Sequence, residues 1–297
     1  MGGTLAAEAA VAGHDVVVLD VSEEIVTRIR DKGLTVDQPA GPITAQVRAE
    51  LTAERVGWVD CVVLFVKAQH TASAGQSIQP LLGPATSIVT LQNGWGNADV
   101  LAECVDPDRL VMGVTYNSCT VVGAGHLAHT GNGATYVGPY RSGATMTSSD
   151  EVAALLNSVG WQAEATAGVH TEVWKKLILN AATLPTSALS RLNAGAVGEP
   201  GMLLELVDAL ALEAVSVARA LSLEIDADER LGRVHAVLEG AGKGKSSMLQ
   251  DVEGQRKTEI ETVNGAVTRV GDELGVPVPL NRAMVALVGG LERSWAL

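Results

Sequence analysis

The spacing of apolar residues along this chain changes near residue 170. Before it, short aliphatic runs dominate: Val16-Val17-Val18-Leu19, Cys61-Val62-Val63-Leu64-Phe65-Val66 and Ser87-Ile88-Val89-Thr90-Leu91. Runs without polar alternation belong to strands buried on both faces, the mark of a parallel sheet. Ile43-Thr44-Ala45-Gln46-Val47 alternates instead and predicts an exposed strand. Runs at 110–115, 120–122 and 134–137, separated by glycines, predict an antiparallel extension of the sheet. A helix near 150–158 and a strand near 161–165 close this half, after a polar loop at 140–149. After residue 170 the period is helical, with candidate helices near 170–191, 199–221, 226–240, 246–275 and 279–294. Pro185 is expected to kink or end the first of these.

The opening of the chain gives the first half a more specific character. Residues 3–12 are alanine-rich and helical in type, and Gly13 is placed to stop the helix. The strand that follows ends in Asp20. A small-residue helix, then a strand ending in an acid, is the second part of a dinucleotide-binding βαβ unit. Asp20 stands where an acid grips the adenosine ribose hydroxyls and repels a 2′-phosphate, which favours NAD over NADP. The alternative for Asp20 is a loop carboxylate capping the next helix, a role that suits Ser22 better. Gly2 and Gly3 read as the tail of a G-x-G-x-x-G fingerprint, with Gly2 as its third glycine. On that reading the first strand and two loop glycines, roughly ten residues, are expected to be missing ahead of Met1. The predicted fold is therefore an α/β Rossmann-type domain over 1–167, lacking its first strand, and an all-α domain over 168–297.

Ligands of open parallel sheets bind beyond the carboxyl ends of the strands. Lys67 and Asn93 follow two of the predicted strands and so fall on that edge; for Asn93-Gly94 a plain turn accounts for the pair equally well. Val173-Trp174-Lys175-Lys176-Leu177-Ile178-Leu179-Asn180 reads as one helix with apolar positions at 173, 177, 178 and 181. Lys176 and Asn180 are four apart and share a face. A lysine beside an apolar stripe, with an amide one turn on, can hold a carbonyl and give it a proton; a solvated Lys-Asn edge is the bland alternative. Lys175 points about 100° away and is not expected to share that site. Glu259 is predicted on the 246–275 helix, on the face of Val252 and Val263, with Lys176 as partner for its carboxylate. A surface glutamate is its alternative. Ser246 is a natural N-cap for that helix, where exposed N–H groups favour an anion. His129 has no evident acid or nucleophile beside it in sequence and is read as structural.

Composition narrows the classes. The 297 residues carry a formal charge of -13, which argues against nucleic-acid or anionic-membrane partners. Cys61, Cys104 and Cys119 match neither a disulfide framework nor a metal site and suit a reducing, cytoplasmic setting. No apolar run reaches membrane-spanning length.

Taken in order, Val66-Lys67, Leu91-Gln92-Asn93-Gly94, Gly125…His129-Thr130-Gly131, Trp174-Lys175-Lys176-Leu177…Asn180, Ser246-Ser247-Met248-Leu249-Gln250-Asp251 and Thr258-Glu259-Ile260…Asn264-Gly265 resemble the ketopantoate reductase (2-dehydropantoate 2-reductase) family. The resemblance covers nearly the whole chain. It implies an oxidoreductase that passes hydride from NAD or NADP to a small-molecule 2-oxo acid, with Lys176 as general acid and Glu259 close to substrate and cofactor. It also implies that Asn93 contacts nicotinamide-side ribose and substrate, that Asn180 and Ser247 hold substrate, that Lys67 lies by the cofactor and that the backbone near Cys119 borders the nicotinamide. A homodimer is expected. Two departures bear on substrate and cofactor. Ketopantoate reducers usually carry a second asparagine where this chain has Leu184, and NADP-dependent members offer a basic or neutral residue at the position of Asp20. Both point to an NAD-linked D-2-hydroxyacid dehydrogenase-like relative. A β-hydroxyacid dehydrogenase, which also pairs a Lys with an Asn four residues on, and a non-catalytic dinucleotide-binding protein are the alternatives.

Overall fold

The computed structural model describes residues 1–296 as two compact units, one of Met1–Gln92 with Asn97–Val169, the other of Asn93–Gly96 with the described chain from His170 onward. In the first unit the elements run α1 (Gly2–Val11), β1 (Val17–Leu19), α2 (Glu23–Lys32), β2 (Leu34–Asp37), β3 (Ile43–Ala45), β4 (Arg48–Glu50), β5 (Val59–Leu64), α3 (Thr71–Ser77), β6 (Leu82–Thr90) and α4 (Asn97–Ala102). They continue as β7 (Leu110–Thr115), β8 (Ser118–Gly123), β9 (His126–Gly131), β10 (Thr135–Pro139), α5 (Thr147–Ser158) and β11 (Ala163–Ala165).

Strands β5, β6 and β7 are parallel, and β10 pairs antiparallel with β7 and parallel with β11, giving the order β11-β10-β7-β6-β5. Every residue of β7 is buried, as both-face coverage by helices demands. The predicted antiparallel extension holds only for β10. Strand β7 is parallel, and the β8–β9 hairpin joins β2 and β3 in a separate sheet of order β3-β2-β9-β8. The reason lies in the pattern: Val121 and Val122 stay exposed, so this hairpin has no second apolar face to place inside a covered sheet. Strand β1 pairs in parallel with β4 alone. Among the described residues, the other edge of β1 and the outer edge of β5 have no ladder partner.

Helix α1 serves two apolar clusters. Leu5 packs with Val89, Val111, Val137 and Trp161, while Ala6 and Ala7 pack with Val26, Ile29 and Val36. Helix α2 is specified locally. The Ser22 hydroxyl caps its start, Glu23 and Glu24 occupy the first turn, Arg30 and Lys32 the last, and Gly33 ends it at φ +74°.

The second unit is helical: α6 (Val169–Ser190), α7 (Ala194–Val197), α8 (Met202–Ala220), α9 (Ala227–Ala241), α10 (Ser247–Glu253), α11 (Asn264–Leu274) and α12 (Pro279–Ser294). Of the two outcomes expected at Pro185, the ending is corrected, because α6 runs through it. Lacking an N–H, the proline leaves the Ala181 carbonyl without its helical donor, and the buried Asn264 amide donates to that oxygen at 2.8 Å. The 246–275 segment is not one helix. It stops at Gly254 and resumes at Asn264, so Glu259 lies in a turn rather than on a helical face with Val252 and Val263. Among the described residues no helix is long and apolar enough to cross a membrane.

Candidate active site

Helix α6 buries Val173, Trp174, Leu177, Ile178 and Ala181, so its apolar stripe lies where the spacing placed it. Lys176 stands beside the stripe. Its Nζ donates to Asn93 Oδ1 at 2.9 Å, and Asn93 Nδ2 donates to Glu259 Oε2 at 3.4 Å. Three candidates separated by up to 166 positions thus form one cluster within the second unit. Burial pushes the Lys176 ammonium down from 10.5 to about 8, and the negative charge of Glu259 pulls against that shift. Lys175 faces elsewhere and pairs with Glu172 at 2.7 Å.

The turn carrying Glu259 is held through its backbone. The Glu259 carbonyl accepts from the N–H groups of Thr262 and Val263, while the Thr258 hydroxyl donates to Glu292 at 2.6 Å. Asn93 arrives on a four-residue segment whose glycines are required. Gly94 has φ +92°, and a Cβ there would collide with the Thr262 carbonyl. The Trp95 N–H donates to that same carbonyl at 2.9 Å. The Trp95 ring meets His170 edge-on at 5.6 Å and the fully buried Trp174 at 5.7 Å. Trp95, His170 and Thr262 escaped the sequence reading. An Asn-Gly turn followed by a large aromatic was the available signal.

Asn180 is buried one turn beyond Lys176. Ser247 is exposed at the start of α10, and the capping role belongs to Ser246, whose hydroxyl accepts from Leu249 N and donates to Ser187 Oγ. Leu184 packs with Ala188, Met248, Val252 and Ile260, so this position is part of an apolar core.

The remaining candidates lie in the first unit. Gly2 and Gly3 occupy the first turn of α1. A Cβ on Gly2 would touch Phe65 at 3.4 Å and one on Gly3 would strike Leu127 at 2.7 Å, so the helix approaches both strand ends closely. Asp20 follows β1, and its Oδ1 accepts from Ser22 N at 2.8 Å, while Ser22 caps α2. Lys67 follows β5. Cys119 lies against Thr4 and Glu8 of α1, and burial raises its thiol pKa. His129 has the acid partner that its sequence neighbourhood did not show. Its ring reaches Glu8 Oε1 at 2.9 Å and Asn117 Oδ1 at 3.2 Å, and Glu8 Oε2 accepts from Trp161 Nε1 at 2.7 Å. That network ties α1 to the strands around it, a structural role. Among the described residues no group of three or more His, Cys, Asp and Glu is arranged for a metal.

The family model described as ketopantoate reductase PanE/ApbA matches residues 1–142, and the one described as ketopantoate reductase PanE/ApbA C terminal matches residues 169–292. The 2-dehydropantoate 2-reductase of Archaeoglobus fulgidus is 31% identical over 292 residues, spanning 98% of this chain and 95% of that protein. That of Halobacterium salinarum is 33% identical over 283 residues, spanning 94% and 91%. The solved ternary structure of D-mandelate dehydrogenase with NADH and anilino(oxo)acetate matches with a TM-score of 0.94 at 25% identity, over 100% of this chain and 97% of that one. A PanE/ApbA family ketopantoate reductase from Ralstonia eutropha matches with a TM-score of 0.89 at 28% identity, over 99% and 95%. Matched by both family models in order, and by full-length relatives above 30% identity, the chain belongs to the ketopantoate reductase family.

Proposed function

We propose that this protein is a nicotinamide-dependent reductase of 2-oxo acids, working with NADH in preference to NADPH. The observation that carries the reading is the Lys176–Asn93–Glu259 cluster: a half-buried lysine whose pKa is brought down to about 8, held by an amide and faced by a carboxylate. A group with a pKa near the working pH is suited to giving and taking a proton.

Several features of the first unit support a dinucleotide there. Helix α1 has no side-chain cap, so its first N–H groups are available to pyrophosphate oxygens. A Cβ on Gly3 would strike Leu127, in keeping with a phosphate-loop helix packed close on its strands. Asp20, at the end of β1, spends one carboxylate oxygen on Ser22 N. Its negative charge supports the preference for a ribose hydroxyl over a 2′-phosphate. Lys67 and Cys119 complete the proposed cofactor set.

When bound, the nicotinamide supplies the hydride. Lys176 donates a proton to the carbonyl oxygen as negative charge builds there, assistance that typically contributes about 10²–10⁴-fold. Glu259 opposes the burial penalty and keeps Nζ protonated at neutral pH. Asn93 fixes the direction of Nζ. Asn180 and Ser247 are assigned to the substrate carboxylate or hydroxyl. Leu184, in the apolar core at the position where ketopantoate reducers usually carry an asparagine, favours a 2-oxo acid with a bulkier or less hydroxylated side chain than ketopantoate. The relative solved with NADH and anilino(oxo)acetate supports such a substrate class.

The test is direct. The protein is titrated with NADH and NADPH, then a panel of 2-oxo acids including ketopantoate and phenyl-substituted acids is screened for loss of reduced-nicotinamide absorbance. Turnover with at least one 2-oxo acid is expected. Cofactor binding without turnover across the panel overturns the reading.

A further inference from the structure

The segment Asn93–Gly96 is short and intrinsically loose. Two of its four residues are glycines, at φ +92° and +101°, and glycine resists ordering more than any other residue. Yet Asn93 must hold two directed hydrogen bonds at once, to Lys176 and to Glu259. Backbone docking at Thr262 supplies one restraint. The only large side chain available to supply another is that of Trp95.

The placement of its ring is informative. His170 and Trp174, which the ring touches, are four apart and share one face of α6. Lys176 is two residues beyond Trp174, about 200° around the helix. The segment therefore grips α6 from two sides, with the Trp95 ring on one and the Asn93 amide on the other. Its backbone between them docks on the turn that carries Glu259. Nothing in the proton-transfer step requires an indole, so the ring has no chemical role of its own.

We propose that Trp95 is a positioning residue for proton transfer, clamping Asn93–Gly96 onto α6 and the Glu259 turn so that Asn93 keeps Lys176 aimed and sheltered from water. The effect on turnover rests on the reductase reading above.

The test compares Trp95→Ala, Trp95→Phe, Asn93→Ala and the double variant Trp95→Ala/Asn93→Ala in the full chain. Misaligning a reacting group by about 1 Å costs up to about a hundredfold. Trp95→Ala is accordingly expected to lower kcat about ten- to a hundredfold while the KM for NADH stays within about twofold. Its pH midpoint moves upward as water reaches the ammonium, and Trp95→Phe restores most of the rate. Because Trp95 acts through Asn93, the double variant is expected to be no slower than Asn93→Ala alone. A Trp95→Ala enzyme with wild-type kcat and midpoint, or losses that multiply in the double variant, overturns the proposal. If Trp95→Ala does not fold, Trp95→Leu takes its place in the comparison.

A second readout needs no substrate. The pH dependence of Lys176 acylation by acetic anhydride, followed by mass spectrometry, reports its titration directly, with a midpoint near 8 expected in the wild type. An upward shift in Trp95→Ala supports the clamp, and an unchanged midpoint in that variant overturns it. If the wild-type protein turns over no 2-oxo acid, the reductase reading falls, while this measurement still judges the clamp.

Discussion

In the proposed mechanism the proton comes from Lys176, whose pKa near 8 sets where the pH response falls. Reduction needs the protonated ammonium, so kcat for a 2-oxo acid should be flat below about pH 8 and fall about tenfold per unit above it. Oxidation of the matching 2-hydroxy acid needs the neutral amine, so its rate should rise up to about pH 8 and then level off. Parallel profiles in the two directions would contradict this assignment. Lys176→Ala should lose at least about a hundredfold in kcat while reduced nicotinamide still quenches protein fluorescence on binding. Asp20 is proposed to act on a different choice, that between the two cofactors. Asp20→Ala or Asp20→Arg should narrow the NADH-over-NADPH ratio of kcat/KM, and a wild type that already favours NADPH would refute the ribose role. The sequence singled out Lys176 beside an apolar stripe and Asp20 after an apolar run, and the fold brings Lys176 to Asn93 and Asn93 to Glu259. Trp95 was not singled out, because an aromatic side chain says nothing about its partners until His170 and Trp174 are folded beside it.

At the scale of elements, periodicity located most helices and buried strands but misjudged where they stop. The gap from Gly254 to Val263 carries enough apolar residues, Ile260 and Val263 among them, to mimic a continuous helix. Only tertiary contacts show that these side chains are buried from a turn. Pro185 erred in the other direction. Its local penalty is real, but a residue 79 positions later answers it through the Asn264 amide. Asn264 also donates to Asn281 Oδ1 at 2.9 Å, and Asn281 donates in turn to Glu213. Replacing Asn264 by Ala should therefore cost about 2–3 kcal/mol in urea unfolding, since it strands the Ala181 carbonyl and opens a buried network. A loss below about 0.5 kcal/mol would mean that water or a local bend serves that carbonyl equally well. The β8–β9 hairpin was misassigned for a related reason, because pattern gives strand character but not which sheet a strand will join.

For the molecule as a whole, charge and connectivity matter most. A net charge of -13 makes the compact state repel itself, and salt screens that repulsion. Raising NaCl from about 10 mM to 300 mM should lift Tm by a few degrees, and a falling Tm would show that ion pairs outweigh the net repulsion. The change of period near residue 170 was visible from the sequence, but the allegiance of Asn93–Gly96 to the helical unit was not. That allegiance has a practical cost for anyone dissecting the protein. The polypeptide passes from one unit to the other at three places rather than one, so no single cut separates them. A fragment ending at Val169 would keep Asn93 and Trp95 but not the helix that they grip, and the complementary piece would keep Lys176 without the amide that aims it. Domain-by-domain expression of this enzyme would thus yield two halves that are each missing part of one site, and silence from such halves would say nothing about the intact chain.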